Sequence, residues 1–466
     1  MSAPAPGREI GDLPGPRGLP LLGNLHQTWR LPRSHEVVER WGERYGPIFR
    51  FTVGSRLIVV VSDEDEVNRI LRDRPEGYRR WPEVEEAFGG IGFLGVFSVE
   101  GDTWRRQRRL AVTALNTNHL HRRFDAVRTS TRRLRARLDD AARKGDAIDI
   151  GQAFASYTLD VTSMLAFGHD LDAQRGDDTE LQLHIQRAFR MLSFRLFFPL
   201  RYWRWVSLPA DRRLGRSVEY LRTAVLGFIG EARERMGRRP GLFEEPENFL
   251  EAMLAAQRED GTYSDDEIVG NVFGLMLAGE DTTAQTLAWA SWFVARDPAV
   301  QARLAAEARE VLGEEPLPAD PEVVARLDYC EAVLRETLRL KSVVNAMTLQ
   351  ALTDTTICGT AIPAGTRLLT AFRAVGRTAG GPEFRPERWL DQDETPGQKS
   401  FLAFGAGPRF CPGRNLAFLE ATSAMATITR GFELELDPRA REVRERLAFM
   451  VIPEGLRIKL RQRVPR

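Results

Sequence analysis

Cysteine, histidine and lysine are scarce in this 466-residue chain, and each shortage excludes something. Cys330, Cys358 and Cys411 are three and far apart, so no disulfide framework is encoded and a reducing cytoplasm is the expected location. The six histidines are scattered; His119 and His121 are close, but no further ligand is spaced with them for a zinc site. Four lysines (Lys144, Lys341, Lys399, Lys459) leave arginine as nearly all of the 66 basic residues, a bias of composition rather than of function. Those are balanced by 65 acids, and a net charge of +1 gives no field to attract nucleic acid. Long apolar runs are missing: none reaches the roughly 18 residues of a membrane-spanning helix. Met1 to Gly11 is too polar for a signal segment. No Ser/Gly linker, repeat or low-complexity block divides the chain.

What is there centres on Phe401 to Arg414. Gly405 and Gly407 permit a tight turn before Cys411. Pro412 and Gly413 follow it, and then a run of helical periodicity through Leu416, Leu419 and Glu420. Pro412 suits a first helical position, which puts Cys411 at the N-cap. There the helix dipole and unpaired N–H groups favour a thiolate, the metal-binding form, with Arg409 adding positive charge.

Other stretches break local rules. Ser264 to Glu267 is a capping box opening a helix that reaches about Arg296. In its middle stands Ala278-Gly279-Glu280-Asp281-Thr282-Thr283, with a costly glycine and adjacent acids in an apolar helix. Asp281 and Thr282 could pass protons between carboxylate and hydroxyl. Trp104 and Arg108 share a helix face and suit a carboxylate ligand. Arg105, Arg106 and Arg109 point elsewhere, as a basic patch for an acidic partner or as a solvated face. Glu336 and Arg339, three apart on a helix, mean little alone. The loop 75–101 is long and apolar, with Phe88, Phe93, Leu94, Val96 and Phe97 able to pack on the core or roof a pocket.

The pattern Phe404-Gly405-x-Gly407-x-Arg409-x-Cys411-x-Gly413 resembles the haem-binding signature of the cytochrome P-450 family, the haem-thiolate monooxygenases. The Ala278 to Thr283 run is similar to that family's oxygen-activation motif. Trp104-x-x-x-Arg108, Glu336-x-x-Arg339 and Arg388 in Phe384 to Trp389 resemble three more of its motifs. The resemblance implies a mainly α fold with small β-sheets, a single domain over 12–466 behind a flexible segment 1–11, and a monomer. It implies haem b with Cys411 as the iron ligand. Trp104 and Arg108 would meet a propionate, and Arg409, Phe404, Gly405, Gly413, Ala278 and Gly279 would also bind the cofactor. Thr282 and Asp281 would deliver protons, while Glu336, Arg339 and Arg388 would pin the cysteine loop. Phe273, Val344, Asn345 and Met450 join Phe88, Phe93, Leu94, Val96 and Phe97 as pocket candidates.

The activity implied is insertion of one atom of O2 into an apolar small molecule such as a terpenoid, steroid, fatty acid or polyketide. Electrons would come from NAD(P)H through a separate ferredoxin or flavodoxin-type donor. A peroxide-driven peroxygenase and a non-catalytic haem-binding protein are the alternatives. The proline-rich run Pro14 to Asn24, with no anchor before it, implies a soluble protein of bacterial type. Leu349 stands where many members place a propionate-binding arginine, which removes one expected haem contact. The aromatic stretch Arg195 to Pro209 reads as a packed loop rather than a membrane contact.

Overall fold

The computed structural model describes residues 8–28, 31–176, 180–198, 201–391 and 401–463. Its longest element is the helix Asp265–Arg296. Ser264 and Glu267 cap it reciprocally: the Glu267 N–H donates to the Ser264 hydroxyl at 3.2 Å, and the Ser264 N–H to the Glu267 carboxylate at 3.0 Å. Three acids in its first turn suit the positive end of the dipole. Asp297-Pro298 stops it, because a residue before proline is disfavoured in helical geometry.

This long helix packs along Ile150–Phe167, a helix buried nearly all round. Its Thr158 hydroxyl donates to the Glu280 carbonyl at 2.5 Å, and its Tyr157 hydroxyl donates to the Glu420 carbonyl at 2.9 Å. Glu420 lies on Arg414–Gly431, the helix after Cys411. One core helix thus fixes the two elements that carry the chemistry-bearing motifs.

A five-stranded sheet flanks the helices, in the order Ile48–Val53, Arg56–Val61, Arg367–Thr370, Met347–Ala351, Tyr78–Arg80. The pairing of Arg56–Val61 with Arg367–Thr370 is parallel and the rest antiparallel. One face, including Val59, Val61, Leu349 and Leu368, packs with Leu71 and Leu402 next to the cysteine loop. In the last pairing Arg80 stands directly opposite Leu349.

Several expectations are corrected. The stretch 75–101 is not one loop: it holds the strand Tyr78–Arg80 and the helix Pro82–Gly89, tied down where the Trp81 indole donates to the Leu349 carbonyl at 2.7 Å. Cys358 and Gly359 turn Thr355–Ile357 into Thr360–Ile362, and Arg367–Thr370 leaves for the larger sheet. Of the segment expected to be flexible, 1–7 lie outside the described residues, and Arg8–Glu9 pairs with Thr360–Ala361. The stretch 195–209 is packed only in part. Its helix runs to Phe197 and Arg195 covers the Trp203 ring, but Trp205 is 79% exposed; residues 199 and 200 lie outside the described residues.

Glu420 sits in the contact with the long helix, where Thr283 hydrogen-bonds it and its Oε2 has no partner among the described residues. Burial pushes its carboxyl up to about 8, against the pull of Thr283. Between the ordinary value of 4.5 and about 8 the folded chain holds a proton that the unfolded chain releases, so this group's contribution to stability falls as pH rises. Glu420→Gln keeps the shape and cannot ionise. Its melting temperature is expected to fall less than the parent's between roughly pH 5 and 8; parallel curves would refute the assignment.

Candidate functional site

The cysteine loop is shaped by its glycines. Gly405 and Gly407 have φ of +71° and +68°, left-handed values that strain other residues. A Cβ at Gly407 would lie 2.5 Å from the Leu71 carbonyl oxygen, so the loop presses on the helix Glu64–Arg72. The Cys411 N–H donates to the Phe404 carbonyl at 2.8 Å, closing the turn. Cys411 itself is half-buried. It is not the N-cap: the helix starts at Arg414 with Gly413 as its cap, and Pro412 belongs to the turn before it. Nor is the free thiol acidified. Burial raises it, outweighing the Gly413 and Arg414 N–H groups and the Arg108 and Arg414 guanidinium groups, which pull it down. The thiolate needs a metal to hold it.

Glu336 organises what precedes this loop. It is fully buried on the helix Asp328–Leu340. Arg339 grips it with Nε and Nη2 at 2.8 and 2.7 Å. Arg388 Nε, the Arg385 N–H and the Trp389 indole add bonds of 3.0, 2.9 and 2.9 Å. Burial alone would raise this carboxyl, yet these donors hold it below the usual range. Arg339 also donates to the carbonyls of Gly376, Gly381 and Glu383. The predicted trio therefore meets in space, and Trp389, which sequence reasoning passed over, belongs to it.

Trp104 and Arg108 are both buried on the helix Gly101–Ala114 and both reach the cysteine loop. Arg108 donates to the Phe410 carbonyl at 2.7 Å, and the Arg409 guanidinium lies 4.2 Å from the Trp104 ring centre. Arg409 also pairs with Glu100. The patch expected from Arg105, Arg106 and Arg109 is broken up. Arg105 pairs with Asp102 and Glu76, and Arg106 with Glu267 of the long helix, leaving Arg109 exposed.

Around Glu100 lies a cationic cluster that the sequence did not announce. Arg74 and Arg80 join Arg108 and Arg409 there. Burial lowers Arg80 and Arg409 to about 10, and lowers Arg74 too, aided by repulsion from Arg80 and Arg409. Arg74 Nε and Nη2, Arg80 Nε and Arg409 Nε have no hydrogen-bond partner among the described residues. Buried guanidinium groups short of acceptors call for an anion.

On the long helix, Ala278 is exposed and Gly279, Asp281 and Thr282 are half-buried, although Leu277, Glu280 and Thr283 beside them are buried. Thr283 touches Glu420, so this open stripe lies where the long helix crosses the cysteine helix. The Thr282 hydroxyl donates to the Ala278 carbonyl at 2.7 Å rather than to Asp281, whose Oδ1 accepts from Gln285 at 3.3 Å. Burial raises Asp281 and, more strongly, Glu280. Gly279 is required by crowding: a Cβ there would lie 2.2 Å from the Thr162 hydroxyl oxygen.

Most pocket candidates gather in one apolar cluster. Phe93 stacks on Phe273 with ring centres 3.8 Å apart. Phe88, Phe97 and Phe449 follow in contact, with Val344 and Met450 packed alongside. Leu94 is exposed, while the Val96 N–H is tied to Asn271 at 2.9 Å. Asn345 is half-buried, its carbonyl accepting from the Arg373 N–H at 3.2 Å.

The cytochrome P450 family model matches residues 13–460. The chain belongs to the cytochrome P450 family. It is an oxidoreductase of the haem-thiolate monooxygenase class, with the single-domain P450 fold. Similar proteins include the putative cytochrome P450 CYP13A3 of Caenorhabditis elegans, 28% identical over 90% of this chain and 88% of its own length. LUTEIN DEFICIENT 5 of Arabidopsis thaliana is 26% identical over 90% and 72%, and the 3,9-dihydroxypterocarpan 6A-monooxygenase of Glycine max 25% over 91% and 87%. These nematode and plant relatives lend no support to the bacterial type expected from the sequence. Among the described residues no helix is long and apolar enough to cross a membrane. Family membership implies haem b. The residues fit it: an open stripe on the long helix, a half-buried thiol in the turn before the helix that the long helix crosses, and buried cations in want of carboxylates.

Gly279→Ala is expected to force the two core helices apart and to destabilise the fold by about 1–3 kcal/mol. Thr162→Ala in the same chain, which removes the nearest hydroxyl and methyl, should recover part of that loss in thermal unfolding. A Gly279→Ala protein as stable as the parent would contradict the contact.

Proposed function

We propose that Cys411 is the axial thiolate of haem b, and that the P450 inserts one oxygen atom into an apolar small molecule by hydroxylation or epoxidation. The reading rests on one observation: the only strongly exposed residue in the middle of the long helix, Ala278, lies beside Thr282 in the stripe that crosses the cysteine helix. When bound, haem supplies the iron at which O2 is activated. Arg108, Arg409 and Trp104 would hold its acidic edge. Phe404, Gly405 and Gly413 would wall one face, and Ala278 and Gly279 the other.

The chain's own contribution is positioning and proton supply. Burial raises the Asp281 carboxyl above its ordinary value, against the pull of Gln285, which suits it to a role as proton donor. Thr282, whose hydroxyl now donates to the Ala278 carbonyl, would turn that hydroxyl into the open stripe to hand on a proton. The retained acid and alcohol favour reductive O2 chemistry over a peroxide-driven cycle. The aromatic cluster of Phe88, Phe93, Phe97 and Phe273 supports an apolar substrate, a terpenoid, steroid, fatty acid or polyketide among them. A relative named for a pterocarpan substrate accords with a small molecule. Electrons would come from NAD(P)H through a separate ferredoxin or flavodoxin-type donor. Phe410, 43% exposed beside Cys411, and the exposed Arg72 and Arg109 offer it a docking face.

The reduced, carbon-monoxide-bound spectrum tests the ligand. The parent should show the thiolate-type Soret band and Cys411→Ser should lose it; an unchanged band in the variant would end the assignment. With a reductase system, Thr282→Ala is expected to divert electrons into hydrogen peroxide and to lower product per NAD(P)H several-fold. Undiminished coupling would remove Thr282 from the proton path.

A further inference from the structure

Leu349 leaves a gap in the expected set of propionate contacts, and the sheet register shows what stands next to it. Leu349 is paired with Arg80 across antiparallel strands. Directly opposed residues project from the same face of a sheet. An arginine missing from one strand is therefore present on its neighbour, at the same level. That face packs toward Leu402 and Ala406 of the cysteine loop.

Arg80 is prepared for a ligand rather than for a protein partner. Its backbone N–H donates to Glu100 at 3.0 Å, while its guanidinium lies over the Phe97 ring at 4.1 Å and its Nε has no hydrogen-bond partner among the described residues. Arg74, 1% exposed, has one contact with the Met347 sulfur at 3.0 Å and a distant one with Glu100 at 3.9 Å. Among the described residues Glu100 is the single carboxylate in reach, and Arg409 already occupies it. Three guanidinium groups, those of Arg74, Arg80 and Arg409, thus share one acid. Two propionates are the charges that would balance the remaining two cations.

We propose that Arg80, with Arg74 behind it, takes the place of the strand arginine lost at Leu349 and receives a haem propionate. The inference rests on the haem-thiolate reading above. Phe97 is a positioning residue here: its ring holds the Arg80 plane and links the anchor to the pocket roof.

The test is haem release from the purified holoenzyme into excess apomyoglobin, followed at the Soret band. Arg80→Gln and Arg74→Gln are expected to release haem at least tenfold faster than the parent, the loss of a charge-assisted bidentate contact. Arg109→Gln, which removes an exposed charge from the neighbouring helix, should release it at the parent rate. Leu349→Arg added to Arg80→Gln restores the charge one strand away and should bring release back to within about threefold of the parent. Release from Arg80→Gln at the parent rate, or no faster than from Arg109→Gln, overturns the proposal, as does a Leu349→Arg double variant that releases haem as fast as Arg80→Gln alone. If Arg74→Gln does not fold, the Arg80 and Leu349 variants decide. A parent lacking the thiolate-type band would instead defeat the underlying reading.

Discussion

A carboxylate with no water around it must collect donors or give up its charge, and Glu336 collects five N–H groups. Those donors come from its own helix and from 385–389, a segment far along the chain. Arg339 extends the set to three backbone carbonyls of 376–383. An ion pair this deep adds little to net stability, because desolvation offsets attraction, but breaking it strands a charge. Its worth lies in position. The segment it fixes leads toward the cysteine loop, and a misplaced loop would carry the thiol away from the long helix.

The other charged centre is the mirror image of the first. Around Glu336, one anion is matched by cations from two segments. Around Glu100, cations outnumber the anion, and burial makes each unmatched guanidinium costly. Guanidinium groups do not shed their protons, so the cost stays until an acid arrives. Structure without a ligand and structure built for one are thus distinguished by charge balance alone. Between the two centres, the helix Ile150–Phe167 holds the long helix and the cysteine helix through Thr158 and Tyr157.

The site's separate motifs were legible because each rests on local chemistry. A capping box, a glycine in an apolar helix and a Gly-rich turn before a cysteine declare themselves within a few residues. The long helix and its bounds followed from such signals. Contacts set by register did not. Arg80 reads as one of many arginines until it is found opposite Leu349. The strand Tyr78–Arg80 exists because its neighbour offers a ladder edge, and three residues carry no periodicity of their own. Trp389 looked like loop filler until Glu336 needed another donor. The N-cap at Cys411 failed for a local reason: Pro412 and Gly413 make a turn before helical geometry begins. The leucine at 349 was itself a signal, since a missing cation in a charge-balanced site asks where its replacement lies.

Phe449 has φ of +74°, at the tip of the hairpin Arg444–Ala448 and Met450–Glu454. A phenylalanine in that conformation sits in a backbone shape that glycine or asparagine would adopt more easily. Its ring nevertheless reaches Phe97 and Phe189. Here, then, bulk in the aromatic cluster and ease of the backbone pull in opposite directions. At most aromatic core positions, trimming the side chain subtracts stability. At this one, relief of the turn offsets part of the loss. If the aromatic cluster lines the substrate site as proposed, the hairpin tip is a place where selection can reshape what the enzyme accepts while leaving the rest of the fold its margin.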